Sequence, residues 1–294
     1  MQNFRDKTAV ITGGANGIGL SIATALAREG AHSVIADLDQ AACDRAAETI
    51  AALGVRSVGI KCDVTSAADI TALADRAWDQ FGQIDLLFNN AGVGAGGPAH
   101  RMDEASLRWV FEVNFFGNWA CCMEFLRRFK TQGRQAHICN TASENAIGAP
   151  TPFLAGYNAS KAAVLGYSNI LRMELPDFIS ISLLCPGSTK TQIGQSASLR
   201  PEKFGGPLPP APAGTGVAAY GYEVDTVGAH TLAEIKKGSF YIVPHYASRH
   251  LAEERCNELM AAFDAQTQHE EGWERYDTRR YFATQMQNRE RDKK

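Results

Sequence analysis

The chain has 294 residues, 45% hydrophobic and 21% charged, with a formal net charge of -3. That balance supplies ample material for a core and excludes a disordered chain. It provides no basic field for nucleic acid or an anionic membrane, and no apolar run approaches the ~18 residues of a membrane span. The N-terminal segment MQNFRDKTAVITGG lacks an apolar stretch of signal-peptide length. Cys43, Cys62, Cys121, Cys122, Cys139, Cys185 and Cys256 form no C-x-x-C pair, so neither a disulfide framework nor a thiolate zinc site is indicated, and a reducing cytoplasmic setting is expected.

Thr8–Thr12 is an apolar run that breaks into glycines, as a buried parallel strand does. Residues 18–28 follow as an alanine-rich helix with Gly30 beyond its end. Residues 33–36 read as a second strand, 40–53 as a second helix stopped by Gly54, and 56–61 as a third strand. Asp63 precedes a helix over Ala67–Phe81, and 84–89 is a fourth strand. A glycine-rich loop, 92–98, leads into a long helix within 103–130. Then come a strand at 136–140, a helix at 157–175 ended by Pro176, and a strand at Ile179–Leu184 that stops at Pro186-Gly187. This alternation predicts an α/β fold, a doubly wound, Rossmann-like parallel sheet, whose right-handed crossovers bring the strand C-terminal ends to one ligand-binding edge.

The last third changes character. Residues 188–216 are rich in Pro, Gly, Ser and Ala, with Pro207, Pro209, Pro210 and Pro212 close together, and are expected to form a substrate loop or lid. Residues 217–237 are expected to be helical, 239–243 a final strand and 245–268 a final helix, within a C-terminal extension of 246–294. Its tail from Glu270 is expected either to be partly disordered or to pack on a neighbouring subunit. No repeat or linker appears, so 1–294 is expected to be a single domain.

Thr12-Gly13-Gly14-Ala15-Asn16-Gly17-Ile18-Gly19 joins the first strand to the first helix. A tight turn that lets a phosphate approach needs glycine, and the open N–H groups and dipole of a helix start suit a pyrophosphate. No Lys-Ser or Lys-Thr follows, which excludes a nucleotide-triphosphate loop, though a plain tight turn stays open. Asp37 ends the second strand, where a dinucleotide fold places the acid that accepts from ribose hydroxyls. A carboxylate there repels a 2′-phosphate, so the reading is NAD rather than NADP; Asn16 and Leu38, which are not basic, agree. Asp39 takes the alternative role of helix cap, leaving Asp37 no evident structural duty.

Tyr157 and Lys161 lie four apart, on one face of a helix. An ammonium beside a phenol favours the phenolate, so Tyr157 is expected to have a lowered pKa and to work as an acid/base near neutral pH, where a phenol at ~10 does not. Ser143 follows the fifth strand, on the same edge. Taken singly, a Tyr-Lys pair is usually a surface pair and a serine a cap; their position on the predicted site edge favours chemistry.

These segments, over residues 4–243, resemble the short-chain dehydrogenase/reductase family in its compact branch. TGGANGIG is similar to T-G-x-x-x-G-x-G, and Asn89-Asn90-Ala91-Gly92 to the N-N-A-G signature. Asn114 in VNFFG resembles the catalytic asparagine, Ser143 the catalytic serine, and Tyr157-Asn158-Ala159-Ser160-Lys161 the Y-x-A-S-K signature. Pro186-Gly187 with Thr189 and Thr191 is similar to the segment at the nicotinamide end. Ser143 lies fourteen residues before Tyr157, one more than usual, and Thr141-Ala142-Ser143 replaces a Ser-Ser pair, so Thr141 is the alternative.

The resemblance implies NAD as cofactor, held along Thr12, Gly13, Asn16, Gly17, Ile18 and Gly19. Asp37 and Leu38 would meet the adenosine ribose, and Asp63 and Val64 the adenine. Asn90, Ala91 and Gly92 would follow the dinucleotide, and Pro186, Gly187, Thr189 and Thr191 the nicotinamide end, beside Tyr157 and Lys161. It further implies that Tyr157 takes the alcohol proton, Ser143 holds the substrate oxygen, Lys161 binds the nicotinamide ribose and Asn114 supports a proton-relaying water. A homodimer or homotetramer packed through the helices of Asn114 and Tyr157 is implied as well.

Residues 198–205 and 241–245 also resemble bacterial Cα-dehydrogenases that oxidise the benzylic alcohol of lignin β-aryl ethers. The expected substrate is a hydrophobic, in particular an aromatic, secondary alcohol or its ketone. Alternatives are a steroid or acyl-chain hydroxy substrate, an epimerase or dehydratase, and a non-catalytic NAD-binding redox sensor. No metal site is expected, because the histidines do not pair with acids at ligand spacing.

Overall fold

Short apolar runs become seven strands in the computed structural model, which describes residues 1–209 and 220–282. They are β1 (Thr8–Thr12), β2 (His32–Asp37), β3 (Ser57–Lys61), β4 (Leu86–Asn89), β5 (Ala136–Thr141), β6 (Ile179–Leu184) and β7 (Tyr241–Ile242). All pair in parallel, in the order β3-β2-β1-β4-β5-β6-β7. The helices are α1 (Gly17–Arg28), α2 (Gln40–Ala51), α3 (Ala67–Phe81), α4 (Glu104–Phe111), α5 (Asn118–Gln132), α6 (Glu144–Ile147), α7 (Ala155–Glu174), α8 (Asp225–Lys237) and α9 (Ser248–Gln266). This is a Rossmann-like α/β fold.

Alternation within the strands divides the core into two layers. Val10, Val34, Leu87 and Ile138 face one side and pack with Leu73, Trp109, Val110, Phe125 and Phe129. Ile11, Ile35, Leu86 and Phe88 face the other and pack with Ile22, Leu26, Ile50, Val227 and Ile235. Both faces are covered, so the strands read as continuous apolar runs.

Two helices differ from expectation. The long helix within 103–130 is interrupted by a π-helical turn over Glu112–Gly117, between α4 and α5. A π-turn inserts a residue without breaking the apolar pattern, so periodicity does not register it. The helix expected at 217–237 begins only at Asp225. Before it, Tyr222 pairs in parallel with Thr189 and exchanges backbone hydrogen bonds with Ser188 and Lys190, which holds the segment extended. Residues 217–219 lie outside the described residues.

The expected lid is a string of tight helical turns, Gln192–Leu199 and Glu202–Phe204, and its residues 210–216 lie outside the described residues. Arg200 pins it. This buried guanidinium donates to Ser106 Oγ (2.6 Å) and to the Gly206 carbonyl (2.7 Å).

The chain forms two compact units, Met1–Glu253 and Glu254–Lys294. The second contains most of α9 and a helical turn at Trp273–Tyr276, with Leu259, Met260, Phe263, Trp273 and Tyr276 exposed. Among the described residues no helix is long and apolar enough to cross a membrane.

The helix that starts at the glycine turn is set by its crossing with α8. Ser21 Oγ on α1 accepts from the Gly228 amide (3.0 Å) and donates to the Val224 carbonyl (2.8 Å). A Cβ at Gly228 would lie 2.1 Å from the Ser21 carbonyl oxygen. Overpacking of this kind costs about 1–3 kcal/mol. Gly228→Ala is therefore expected to lower stability by about that amount in urea titration, despite alanine's better helix propensity. An unchanged or raised midpoint would contradict this crossing.

Candidate active site

Parallel register places the ends of β1, β2 and β4 side by side, with Thr12 opposite Ala36 and Asn89. The turn after β1 bends through Gly13 and Gly17, at φ of 61° and 52°, a region that favours glycine. A Cβ on Gly13 would lie 2.9 Å from Ala91 Cα, and one on Gly19 would lie 2.2 Å from the Gly13 carbonyl oxygen. Asn90 staples this turn to β4: its Nδ2 donates to the carbonyls of Thr12 (3.3 Å) and Gly13 (3.1 Å). Thr12 Oγ1 accepts from the amides of Asn90 (3.1 Å) and Ala91 (3.2 Å). Asn16 makes no side-chain capping bond to α1, and Asn16, Gly17 and Ile18 border the cleft. A helix start of this kind offers amides and positive dipole to an anion.

Asp37 and Leu38 stand at the far end of this floor, with Asp63 and Val64. Asp39 does cap α2, accepting from the Ala41 amide at 2.9 Å. Asp37, however, has a structural duty that sequence reasoning denied it. Its Oδ2 accepts from the Ala15 amide (3.2 Å), tying the glycine turn to β2, and its Oδ1 accepts from the Leu38 amide (2.8 Å). Asp63 shapes the next loop, accepting from the Thr65 amide at 2.9 Å.

The second group collects beyond β5. Lys161, 2% exposed, donates from Nζ to the Thr141 carbonyl (2.9 Å) and stands 5.8 Å from the centre of the Tyr157 ring. The Tyr157 phenol hydrogen-bonds Ser143, whose Oγ also accepts from the Asn145 amide at the start of α6 (3.3 Å). The hydroxyl that meets Tyr157 is thus that of Ser143; Thr141 contributes its carbonyl. Asn114 sits in the π-turn, fully buried. Its Oδ1 accepts from the Val93 amide (2.8 Å), and its Nδ2 donates to the Val93 carbonyl (2.9 Å) and Ser160 Oγ (3.1 Å). A Cβ on Gly92 would lie 3.3 Å from both Asn114 Oδ1 and Lys161 Nζ, so glycine permits their approach.

The charges differ from expectation. Burial pushes the Tyr157 phenol above its ordinary 10.0; the Ser143 hydrogen bond opposes this and the Glu144 carboxylate adds to it. Burial likewise pulls Lys161 from 10.5 down to about 8. The lowered Tyr157 pKa expected from the Tyr-Lys spacing is therefore not a property of the chain alone. Loss of water is the largest influence on both groups.

Pro186, Gly187, Thr189 and Thr191 close the cleft from β6. Thr189 Oγ1 donates to the Gly187 carbonyl (2.8 Å), and Thr191 Cγ2 would lie 3.3 Å from a Cβ on Gly17, which brings this loop to the glycine turn. The cleft has a volume of about 850 Å³ and runs from Asp37 past Gly13 to Ser143, Tyr157 and Lys161. It continues among Met102, Trp109, Leu154, Ile193, Leu199 and Leu208, with Arg101, Asp103 and Glu144 also at its wall. Of the expected site residues, Gly19 and Asn114 stand behind the wall rather than in it.

Sequence reasoning missed a buried ladder beneath the site. Asn89 Nδ2 donates to Asn140 Oδ1 (3.2 Å) and to the Asn118 carbonyl (2.9 Å). Asn140 Nδ2 donates to Ser168 Oγ (3.0 Å), and Tyr167 hydrogen-bonds Asn118. These side chains lock β4, β5, α5 and α7 together. The signal was available only as asparagines inside apolar runs.

The profile of the family described as short chain dehydrogenase matches residues 7–202. The chain is similar to 1-deoxy-11-beta-hydroxypentalenate dehydrogenase of Streptomyces exfoliatus, 38% identical over 198 residues, covering 66% of this chain and 71% of that protein. It is similar to C alpha-dehydrogenase of a Sphingobium species, 33% identical over 208 residues, covering 70% and 68%. Among solved structures, a short chain dehydrogenase/reductase from Burkholderia phymatum in complex with NAD superposes with a TM-score of 0.83 at 34% identity, covering 89% of this chain and 96% of that one.

The buried ammonium yields a pH signature. Lys161 carries a proton below about 8 in the native state but up to 10.5 when unfolded. Its burial penalty is thus full below the native value and fades as pH rises towards the unfolded one. Lys161→Met removes the penalty. Its stability relative to wild type is expected to fall by about 2–3 kcal/mol between pH near 7 and near 10, at about 1.4 kcal/mol per pH unit. Urea titrations at both pH values measure this, and a pH-independent difference would contradict a buried, proton-shedding Lys161.

Proposed function

The chain belongs to the short-chain dehydrogenase family, and we propose that it is an NAD-dependent dehydrogenase of hydrophobic secondary alcohols. The observation that carries the reading is the gathering of Ser143, Tyr157 and Lys161 at one end of the cleft that begins at the glycine turn. The cradle fits a dinucleotide: Gly13 and Gly17 leave room at the turn, α1 presents its N-terminus, and Asp37 stands where its carboxylate would accept from the hydroxyls of a ribose. Bound NAD supplies the hydride acceptor.

The chain's own residues do the rest. Ser143 Oγ holds the alcohol oxygen against Tyr157. Tyr157, as phenolate, takes the hydroxyl proton as the carbinol carbon loses its hydride. Lys161 would hold the nicotinamide ribose and, together with the positive charge an oxidised ring would bring, offset the burial that opposes the phenolate. Asn114, locked to Val93 and Ser160, supports the water route by which the proton leaves. Asp37 disfavours a 2′-phosphate, which makes NAD the preferred cofactor.

Met102, Trp109, Leu154, Leu199 and Leu208 give the substrate end an apolar wall, and an aryl or similarly bulky carbinol fits that lining. Phe204 does not border this space; it packs against the core, and Tyr222 stacks on His245. Residues 192–209, pinned by Arg200, act as the lid over the substrate. The dehydrogenase names of the two curated relatives support the reaction class. Trp119 on α5 and Ile170 and Met173 on α7 are exposed, which supports pairing of these helices with a second copy of the chain.

Tyr157→Phe is expected to keep NADH binding while turnover of aryl carbinols falls about 10²–10⁴-fold. Near-normal turnover in the folded variant would overturn the acid/base role. Tighter binding of NADPH than NADH to wild type would overturn the cofactor assignment.

A further inference from the structure

Two side chains outside the proton-transfer group take hold of consecutive amides in the loop after β6. The Gly187 amide donates to His245 Nδ1 (3.0 Å), and the Ser188 amide donates to Glu144 Oε1 (3.2 Å). The second carboxylate oxygen, Oε2, accepts from Ser248 Oγ at 2.6 Å. The backbone amide of Glu144 donates to the Pro186 carbonyl (2.9 Å), so the residue grips the loop from both its main chain and its side chain. His245 is buried and stacks on Tyr222 with ring centres 4.2 Å apart, and Tyr222 donates its amide to the Ser188 carbonyl (2.8 Å).

The glycine of the Pro-Gly pair is explained by the same contacts. A Cβ on Gly187 would lie 2.8 Å from Glu144 Oε2, 3.0 Å from Ser248 Oγ and 3.2 Å from His245 Nδ1. The bracket occupies the space a side chain would need. Its other end is anchored to the start of α9, where the Ala149 amide donates to the Leu251 carbonyl (2.8 Å).

We propose that Glu144 and His245 are positioning residues for hydride transfer: they fix the loop from Pro186 to Ser188, and Glu144 places a carboxylate beside the Ser143–Tyr157 pair. The proposal rests on the dehydrogenase reading above. Glu144 follows Ser143 directly and borders the cleft, so its charge lies close to the proton-transfer group. It works against the phenolate, in the same direction as burial. The opposing charge is Lys161 on α7, itself faced by Cys185 beyond β6. Glu144 is in turn faced by His245, which also feels His230 on α8. Because Nδ1 accepts from Gly187, the His245 proton is on Nε2, and the ring must be neutral to serve.

Glu144→Gln keeps the shape and removes the charge: its Oε1 can still accept from the Ser188 amide, while its Nε2 would donate to Ser248 Oγ, a hydroxyl that can rotate to accept. The pH at which kcat/KM for alcohol oxidation reaches its upper plateau is expected to drop by about one pH unit. A profile superimposable on wild type would overturn the electrostatic role. His245→Ala is expected to raise KM for NAD about tenfold with a smaller change in kcat, and His245→Asn, which keeps an acceptor, to recover part of it. This pair tests the loop grip even if Glu144→Gln fails to fold, and an unchanged KM in folded His245→Ala would overturn it. Failure of the dehydrogenase reading is distinguishable, because wild type itself would then reduce no NAD with any alcohol.

Discussion

Parallel pairing is the constraint from which the cleft follows. When β1 pairs with β2 on one side and β4 on the other, all in the same direction, their carboxyl ends cannot be separated. β5 and β6 extend the same edge, with Thr141 opposite Leu184. The glycine turn, Asp37, Asn90, Ser143 and Pro186 each lie within a few residues of one of those ends. The cleft is therefore a property of the sheet, and the loops only decorate it. Two devices keep the edge exact enough for chemistry: the Asn90 staple on the glycine turn and the buried Asn89–Asn140 ladder, which spends polar side chains inside the core to hold β4 and β5 to α5 and α7.

Electrostatically, the site is built against its own stability. A lysine and a tyrosine are placed where water is excluded, so Lys161 is reluctant to be charged and Tyr157 reluctant to ionise. Under the proposed dehydrogenase function, such a pair is suited to a reaction in which a positive ring arrives and a proton departs. The π-turn serves the same end. It seats Asn114 so that both ends of its amide are committed to Val93 and Ser160, leaving no rotational freedom beside Lys161.

Much of the fold was legible because its punctuation is chemical. β1, α3 and β6 have the bounds read from sequence, since glycine, serine or proline closes each apolar run. The π-turn was invisible because an inserted residue leaves helical periodicity nearly intact. The start of α8 was misplaced because Tyr222 is held by a distant partner, Thr189, which no local pattern announces. In the site, the spacing of Tyr157 and Lys161 correctly put them on one helix face, but it carried no information on burial, and burial decides the direction of both pKa values. Phe204, in the expected lid, packs against the core, a contact its local sequence does not announce. Glu144 and His245 are separated by about a hundred residues and meet at the loop after β6, a long-range contact that no local pattern announces.

The central claim is that a carbinol hydrogen passes directly to a nicotinamide ring held in this cleft. It is tested most directly with a secondary aryl alcohol carrying deuterium on the carbinol carbon, incubated with NAD and the wild-type protein, and the recovered cofactor examined by NMR. Deuterium is expected at the nicotinamide C4 position, and none is expected there from deuterated solvent when the alcohol is unlabelled. Turnover without label on the ring, or no reduced cofactor with either alcohol, would contradict it.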